Sequence, residues 1–581
     1  MAPAQPLFAD ERRASSAHSE ERAAREDDAL LGNDNKSSKH GRYAFWKEVG
    51  LFIWAALATV AVIILAVLFH QASTPDKNGK GSKPTGKRNL IFMVSDGMGP
   101  ASLSLTRSYR QFVDGLSIDD VLVLDQHFIG SSRTRSSNSL VTDSAAGATA
   151  FSCGRKSYNG AISILPDHTP CGTVLEAAKK SGYMTGLVVT TDITDATPAC
   201  FASHVNLRTE QDAIAQQEVG DHPLGRVVDL MLGGGRCHFL PNTTDGGCRA
   251  DGLDVTKLAQ DKYGWNYIDD MKGFEGLKLG SAAKLPLLGL FAPTDFPFKI
   301  DRRSMDGVYP SLEDMAKTAL KALEAATQDS EQGFFLMIEG SRIDHAGHAN
   351  DPAAQVHEVL EYDRAFAAVT NFLEKSDVPG VVVSTSDHET GGLAISRQLR
   401  PPPSYPQYLW YPQVLANATY SAEYLARSLF SFITSPSKDI TRSSKSIEKY
   451  IREDLIQEGL GIGDATNAEV QLVLDHPELS GVYFADMISR RAQIGWSSHG
   501  HSAVDVNIYG SSGSDQLHGN HENIEVGKFL REYLDVDVDA VTKELNKNVD
   551  SFVLTAAEKS GWTGRVPTAE ELESVSWHYE P

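Results

Sequence analysis

Asn89-Leu-Ile-Phe-Met-Val-Ser95 is short, apolar and uninterrupted, and Asp96-Gly97-Met98-Gly99 follows it directly. An apolar run of this length without polar alternation predicts a strand buried on both faces, as in a parallel sheet covered by helices. Thr185–Thr191, Val227–Leu232, Gly333–Ile338 and Gly380–Ser386 read the same way. Helical patterns lie between them. Ser311-Leu-Glu-Asp314 offers an N-cap with an acidic residue three positions on, and Met315, Ala319, Leu320 and Leu323 then share one face. Asp351-Pro352 opens a second helix, whose apolar side is Val356, Val359, Leu360, Phe366, Val369 and Leu373. Strands alternating with helices predict an α/β fold, a mostly parallel central sheet with helices on both faces.

The flanking segments have other compositions. Residues 1–48 are polar and charged and read as a disordered tail. Within residues 49–71, Leu51–Phe69 runs without a charge and is long enough to cross a bilayer as one helix. A cleaved signal peptide is disfavoured, because the run is long, a sizeable tail precedes it and no small-x-small site follows. Residues 72–88 form a Gly/Ser/Pro/Lys linker. The main domain is expected over 89–536, with 537–581 as a C-terminal extension. Residues 393–495 are too long for a loop. Helical patterns at Ser421–Ile433, Ser446–Gly459 and Asn467–Arg491 mark them as an inserted helical subdomain that caps the site or forms an oligomer contact.

The 581 residues carry a net charge of −22 and no long basic run, which argues against a nucleic-acid partner. Lys36, Lys39, Arg42 and Lys47 precede the apolar run, and Lys77, Lys80, Lys83, Lys87 and Arg88 follow it, so flanking charge leaves its orientation open. The sequons Asn242-Thr-Thr and Asn417-Ala-Thr point to a lumenal C-terminal part, with Asn35-Lys-Ser then unused. Glu26-Asp-Asp-Ala-Leu30-Leu31 resembles an acidic di-leucine signal read by a cytosolic sorting adaptor. Five cysteines are too few for a disulfide scaffold. Cys237 and Cys248 close a short loop that could be bridged, and the odd count leaves at least one thiol unpaired or paired between chains.

The chemistry sits where ligands bind in open α/β sheets, beyond the carboxyl ends of the strands. Asp96, Asp195, Thr197, Glu339, Asp387 and His388 all follow predicted strands, and His501 precedes a strand-like Val-Asp-Val-Asn-Ile. Asp344 and His348 are four apart and face the same way on a helix. Mixed His/Asp sets suit zinc, and all-oxygen sets suit magnesium. Asp344, His348 and His501 make one zinc set. Asp387, His388 and Asp96, with the Ser144 oxygen, make a second. Asp96, Thr197 and Glu339, with Asp195 beside them, make an oxygen-rich third. Ser144, in Val141-Thr-Asp-Ser-Ala-Ala-Gly147, reads alone as a helix N-cap, and over metal as a nucleophile. Arg208 offers two parallel donors to a phosphate dianion. His345, His499 and Arg342 read as supporting or surface residues. A purely structural metal domain is the alternative, but it needs neither the serine nor the arginine.

The stretches VSDGMG (94–99), VTDSAAGATAFSCGRKSYNGAI (141–162), TDATPACFASHVNLR (194–208), IEGSRIDHAGHAND (338–351), TSDHETGG (385–392) and GHSAVDV (500–506) together resemble the alkaline phosphatase family. The resemblance implies hydrolysis of phosphate monoesters through a phosphoserine at Ser144, with Arg208 as phosphate clamp, two Zn²⁺ and one Mg²⁺ per subunit, an alkaline optimum and a homodimer. It implies zinc sets Asp344/His348/His501 and Asp96/Asp387/His388, and magnesium ligands Asp96, Thr197 and Glu339, with Asp195 close by. His345 stands where bacterial members carry Lys, and Asp195 where animal members carry His. The insertion resembles the crown-type insertion of eukaryotic members. The tail, anchor and di-leucine resemble the fungal vacuolar members, single-pass type II proteins of the vacuole membrane with a lumenal catalytic domain. A phosphodiesterase or sulfatase on the same scaffold is disfavoured by Arg208, the third metal set and the absence of a Cys-x-Pro-x-Arg signature. A silent metal-domain receptor would show the same activity with and without Ser144.

Overall fold

The computed structural model describes residues 49–60, 86–305, 307–398, 405, 407–434, 443–548, 552–555 and 561–574. The chain divides into two units, 1–82 and 83–581. In the first, residues 49–60 are helical, and Leu51, Phe52, Ile53, Trp54 and Leu57 are exposed. Among the described residues no helix is long and apolar enough to cross a membrane. The expected tail, its Glu26, Leu30 and Leu31, the second half of the expected span and the linker up to residue 85 lie outside the described residues.

The second unit is built on strands β1 (Asn89–Val94), β2 (Phe128–Arg133), β3 (Met184–Asp192), β4 (Leu230–Gly234), β5 (Asn266–Ile268), β6 (Leu287–Leu290), β7 (Phe334–Glu339), β8 (Gly380–Thr385), β9 (Glu389–Thr390), β10 (His501–Ser502), β11 (Val506–Gly510) and β12 (Gly519–Glu522). Ten form one sheet in the order β12-β2-β11-β8-β1-β7-β3-β4-β6-β5, and β9 pairs with β10 in a separate ribbon. Neighbours in the large sheet run parallel except for β11, which is antiparallel to both β8 and β2. The fold is therefore α/β with a mostly parallel sheet.

Alternate side chains of a strand point to opposite faces, so a doubly covered sheet divides each strand between two cores. Leu90, Phe92 and Val94 of β1 join Phe151, Leu175 and Phe201 on one side. Ile91 and Met93 join Met315, Leu323, Val359 and Phe366 on the other. The covering helices begin at the predicted caps. Ser311 accepts the Asp314 N–H at 3.0 Å at the start of Leu312–Ala326, and Asp351 accepts the Ala353 and Ala354 N–H groups at 3.0 Å before Pro352–Lys375.

Two expectations are corrected. The strand expected over Val227–Leu232 lies later, at Leu230–Gly234, because Asp229 before it is taken up by Lys179, Arg226 and the Thr185 N–H. The helical pattern Asn467–Arg491 is broken into Asn467–Asp475 and Ser480–Ala492. Pro477 supplies no N–H and drives His476 out of the helical region.

The described residues between 412 and 492 form seven helical segments, among them a π-helix at Ile451–Gly459 and a short 3-10 helix at Pro477–Leu479. They share a third core, in which Leu425, Leu429, Ile451, Phe484 and Ile488 meet Leu105, Ala346 and Val356 of the sheet domain. The segment thus packs directly on the helix Arg342–His348, which follows β7.

Candidate active site

The carboxyl ends of β1, β7, β8 and β3 lie side by side in the sheet, so the residues just beyond them converge. Asp96 leaves β1, Glu339 ends β7, Asp387 and His388 follow β8, and Asp195 and Thr197 follow β3. The helix Ser144–Cys153 points its N-terminus into this cleft. Its cap is Asp143, which accepts the Ala146 N–H at 3.0 Å. Ser144 is the first helical residue, not the cap, so its hydroxyl is free for chemistry. It is 3 % exposed, and its Oγ lies 3.0 Å from His388 Nε2.

Asp344, His348 and His501 come together as expected. His348 Nε2 lies 3.1 Å from His501 Nε2 and 3.3 Å from Asp344 Oδ2, and His501 Nε2 lies 3.6 Å from Asp344 Oδ1. Ligands on a tetrahedral zinc at about 2.0–2.1 Å are separated by about 3.3 Å, so these three donors fit that ion. The tautomers fit as well. His501 Nδ1 donates to Thr142 O at 2.8 Å and His348 Nδ1 to His499 O, which turns both Nε2 lone pairs inward. Burial, then the charge of His388, pushes His501 down to about 3, so its ring stays neutral and able to ligate.

The second set shares a wall with the first: the rings of His388 and His501 stack with centroids 3.4 Å apart. His388 Nε2 is 3.1 Å from Asp387 Oδ2 and 3.6 Å from Asp96 Oδ1. Both those oxygens are buried and make no hydrogen bond, an arrangement that is costly unless a cation meets them.

The third set is all oxygen. Burial raises Asp96 well above the usual carboxylate range, and the charges of Asp387, Asp344, Glu339 and Asp195 raise it further. Burial likewise raises Glu339 to about 8; the Ser341 hydroxyl opposes this, and Asp195 adds to it. Thr197 Oγ is buried beside Glu339 and makes no hydrogen bond of good geometry. Crowded carboxylates with an unused hydroxyl suit a hard dication. Arg208 is the neighbouring cation: Nη2 donates to Asp195 at 2.8 Å and Nη1 to Asp143 at 3.4 Å. It therefore lies beside the residue that precedes Ser144.

The alkaline phosphatase family model matches residues 87–536. The repressible alkaline phosphatase of Saccharomyces cerevisiae is 53 % identical over 507 residues, covering 84 % of this chain and 88 % of that protein. Among solved structures, the alkaline phosphatase of Thermus thermophilus has a TM-score of 0.64 at 27 % identity, covering 82 % of this chain and 99 % of that one. A TAB5 alkaline phosphatase mutant with Mg bound in its M3 site has a TM-score of 0.51 at 25 % identity, covering 77 % of this chain and 98 % of that one. The chain belongs to the alkaline phosphatase family. As such it is a phosphate-monoester hydrolase.

The alkaline phosphatase site also uses residues that sequence reading passed over. Glu389 accepts the Gly392 and Leu393 N–H groups and the Ser502 hydroxyl, tying β9 to β10 and so placing His501. Asp295 accepts from Arg342 at 2.8 Å and from the Asp192 N–H at 3.1 Å. Asp295 lies in the loop after β6, a strand that no expected apolar run announced, and in no quoted motif, so only the fold reveals it. His345 faces Asp295 at 3.3 Å.

Gly97 is required sterically. Its φ is +72°, and a Cβ there would stand 2.6 Å from Asp344 Cα. Gly97→Ala is expected to push the Asp96 loop off the Asp344 helix and lower kcat/KM by about 10²-fold, since a displacement of about 1 Å has that effect. Steady-state kinetics on a monoester decide it; a wild-type rate would show that the two loops need not touch.

A buried trio, Glu176, His204 and His222, also has metal-like spacing. However, the Leu224 N–H donates to His222 Nδ1 at 3.1 Å, so the neutral ring carries its proton on Nε2, facing Glu176. That tautomer has no lone pair for a metal, and the phosphatase uses the trio as a buried polar cluster under Trp562. Cys237 pairs with Cys248 and Cys153 with Cys171, leaving Cys200 buried as a free thiol. Asn242 and Asn417 are both exposed.

Proposed function

We propose that this phosphatase transfers the phosphoryl group of a monoester to Ser144 Oγ and then releases it to water, at a site holding two Zn²⁺ and one Mg²⁺. The observation that carries the reading is the Ser144 hydroxyl, 3.0 Å from His388 Nε2, where the second donor set meets the first. Asp344, His348 and His501 would hold one zinc and Asp96, Asp387 and His388 the other. Asp96, Thr197 and Glu339, with Asp195, would hold magnesium; the magnesium-bearing TAB5 mutant supports that ion. When bound, the ions supply positive charge that favours the serine alkoxide and the charge on the departing alcohol.

The chain's own groups do the rest. The helix N-terminus at Ser144 directs N–H groups at the anionic phosphoryl group. Arg208, kept charged because Asp195 and Asp143 outweigh the effect of burial, presents its guanidinium fork to the phosphoryl oxygens. Loss of one such donor typically costs 10²–10³-fold. Arg208→Ala is thus expected to lower kcat/KM by about 10²-fold while Ser144 still reacts. The covalent step is tested by acid-quenching the enzyme with a phosphorus-labelled monoester and mapping the label. Label on the Ser144 peptide is expected; stoichiometric turnover without any labelled protein would exclude it.

We further place the protein as a single-pass type II protein of the vacuole membrane and as a homodimer. Its tail (1–48) would be cytosolic, followed by a span (49–71), a linker (72–88), the lumenal domain (89–536, with the insertion 393–495) and the extension (537–581). The uncharged run at 51–69, its exposed apolar start, two disulfides and exposed sequons at Asn242 and Asn417 support this topology. Leu30→Ala/Leu31→Ala is expected to divert the protein from its route; unchanged trafficking would remove the adaptor reading. Loss of gel mobility shift in Asn242→Gln/Asn417→Gln after glycosidase treatment would place both asparagines in the lumen.

A further inference from the structure

Arg342 opens the helix that carries Asp344 and His348, and its side chain is 4 % exposed. A buried guanidinium needs anions around it. Two that it bonds directly come from different parts of the chain. Nη1 donates to Asp295 Oδ2 at 2.8 Å, and Nη2 donates to Glu423 Oε2 at 2.9 Å. The Phe298 ring lies under it, 4.0 Å from guanidinium carbon to centroid. Asp295 also holds the N–H of Asp192, the last residue of β3, shortly before Asp195 and Thr197. Glu423 belongs to the insertion, in the first turn of the helix Ala422–Thr434, and its other oxygen takes Arg427 at 2.8 Å. One side chain therefore ties three things together: the helix of one donor set, the loop leading to another, and the insertion.

We infer that Glu423 is a positioning residue, through which the insertion fixes the Asp344/His348 helix and so governs metal retention and turnover. With Glu423 neutralised, Arg342 loses its ionic tie to the insertion, is drawn toward Asp295 and releases the start of its helix. The donors 3.1–3.6 Å apart then lose their register. Chemistry is sensitive to shifts of this size.

This rests on Asp344, His348 and His501 being a metal set, and the test separates the two claims. The full-length protein would be prepared as wild type, Glu423→Gln, Ser421→Ala and Asp344→Asn. Ser421→Ala is the control: Ser421 Oγ donates to Asp301 at 2.7 Å at the start of the same helix, without touching Arg342. Zinc per chain during dialysis against chelator, thermal midpoint, kcat and KM would be measured. Glu423→Gln is expected to lose zinc about tenfold faster and to lower kcat about tenfold with KM within twofold, whereas Ser421→Ala stays within twofold of wild type throughout. Wild-type zinc loss in Glu423→Gln, or equal losses in Ser421→Ala, would overturn the inference. Asp344→Asn holding zinc as well as wild type would sink the metal assignment instead; unchanged kcat in Glu423→Gln would then overturn the positioning role on its own.

Discussion

Ser144→Ala is expected to lower monoester turnover by about four orders of magnitude or more, the range found when an attacking side chain is deleted. The structure makes this a clean experiment. The helix cap is Asp143, so the substitution removes no capping bond. Alanine is the best helix former, and the site is already buried among Ala145, Ala146 and Ala148. The thermal midpoint should stay within a few degrees of wild type while the rate collapses. Retention of more than a few per cent of the rate would mean that water attacks phosphorus directly, and that Ser144 only lines the cleft. A variant that is both inactive and unfolded would contradict the assignment of the cap to Asp143.

Metal removal should have the second largest effect, on activity and stability together. Asp96, Asp344, Asp387, Glu339 and Asp195 lie close enough for their charges to act on one another. His388 and Arg208 answer only part of that charge. An ion held at about 1,000 times its Kd adds about 4 kcal/mol to folding. Stripping two or more such ions should therefore lower the thermal midpoint by about 10 °C or more, at roughly 2–4 °C per kcal/mol for a large domain. Turnover should fall to background with chelator and return on adding Zn²⁺ with Mg²⁺, but not with Mg²⁺ alone. Calorimetry and p-nitrophenyl phosphate hydrolysis on one sample read both effects. An unchanged midpoint and rate after verified metal loss would return the cluster to a metal-free explanation.

The centre of the fold was legible because β1, β3, β7 and β8 are buried on both faces and leave continuous apolar runs. The sheet margins were not. The two edge strands, Asn266–Ile268 and Gly519–Glu522, are short and carry polar side chains, since an edge strand needs no second apolar face, and Phe128–Arg133 next to the edge mixes in Gly, Ser and Arg. The same physics governs the site. Asp96, Asp387 and His388 could be read because a strand end announces them. Asp295 and Glu423 could not, because their roles arise from neighbours far away in sequence, and the same holds for the tie between Glu389 and Ser502. Cys153 stands in one of the motifs and Cys171 in none, with nothing in their spacing to mark a bridge.

The ribbon of β9 and β10 has a consequence for how such an enzyme can be rebuilt. Thr390 faces His501, the Gly391 N–H donates to Gly500 O at 2.8 Å, and Ala394 and Gly495 exchange both backbone bonds. The long excursion between them thus leaves and returns through a zipped stem. The stem, with the Thr142 carbonyl, fixes where His501 re-enters the cleft, so it is a graft point: another excursion could be joined at residues 394 and 495 without moving that side chain. A foreign graft would inherit the doorway but would have to bring its own carboxylate to Arg342.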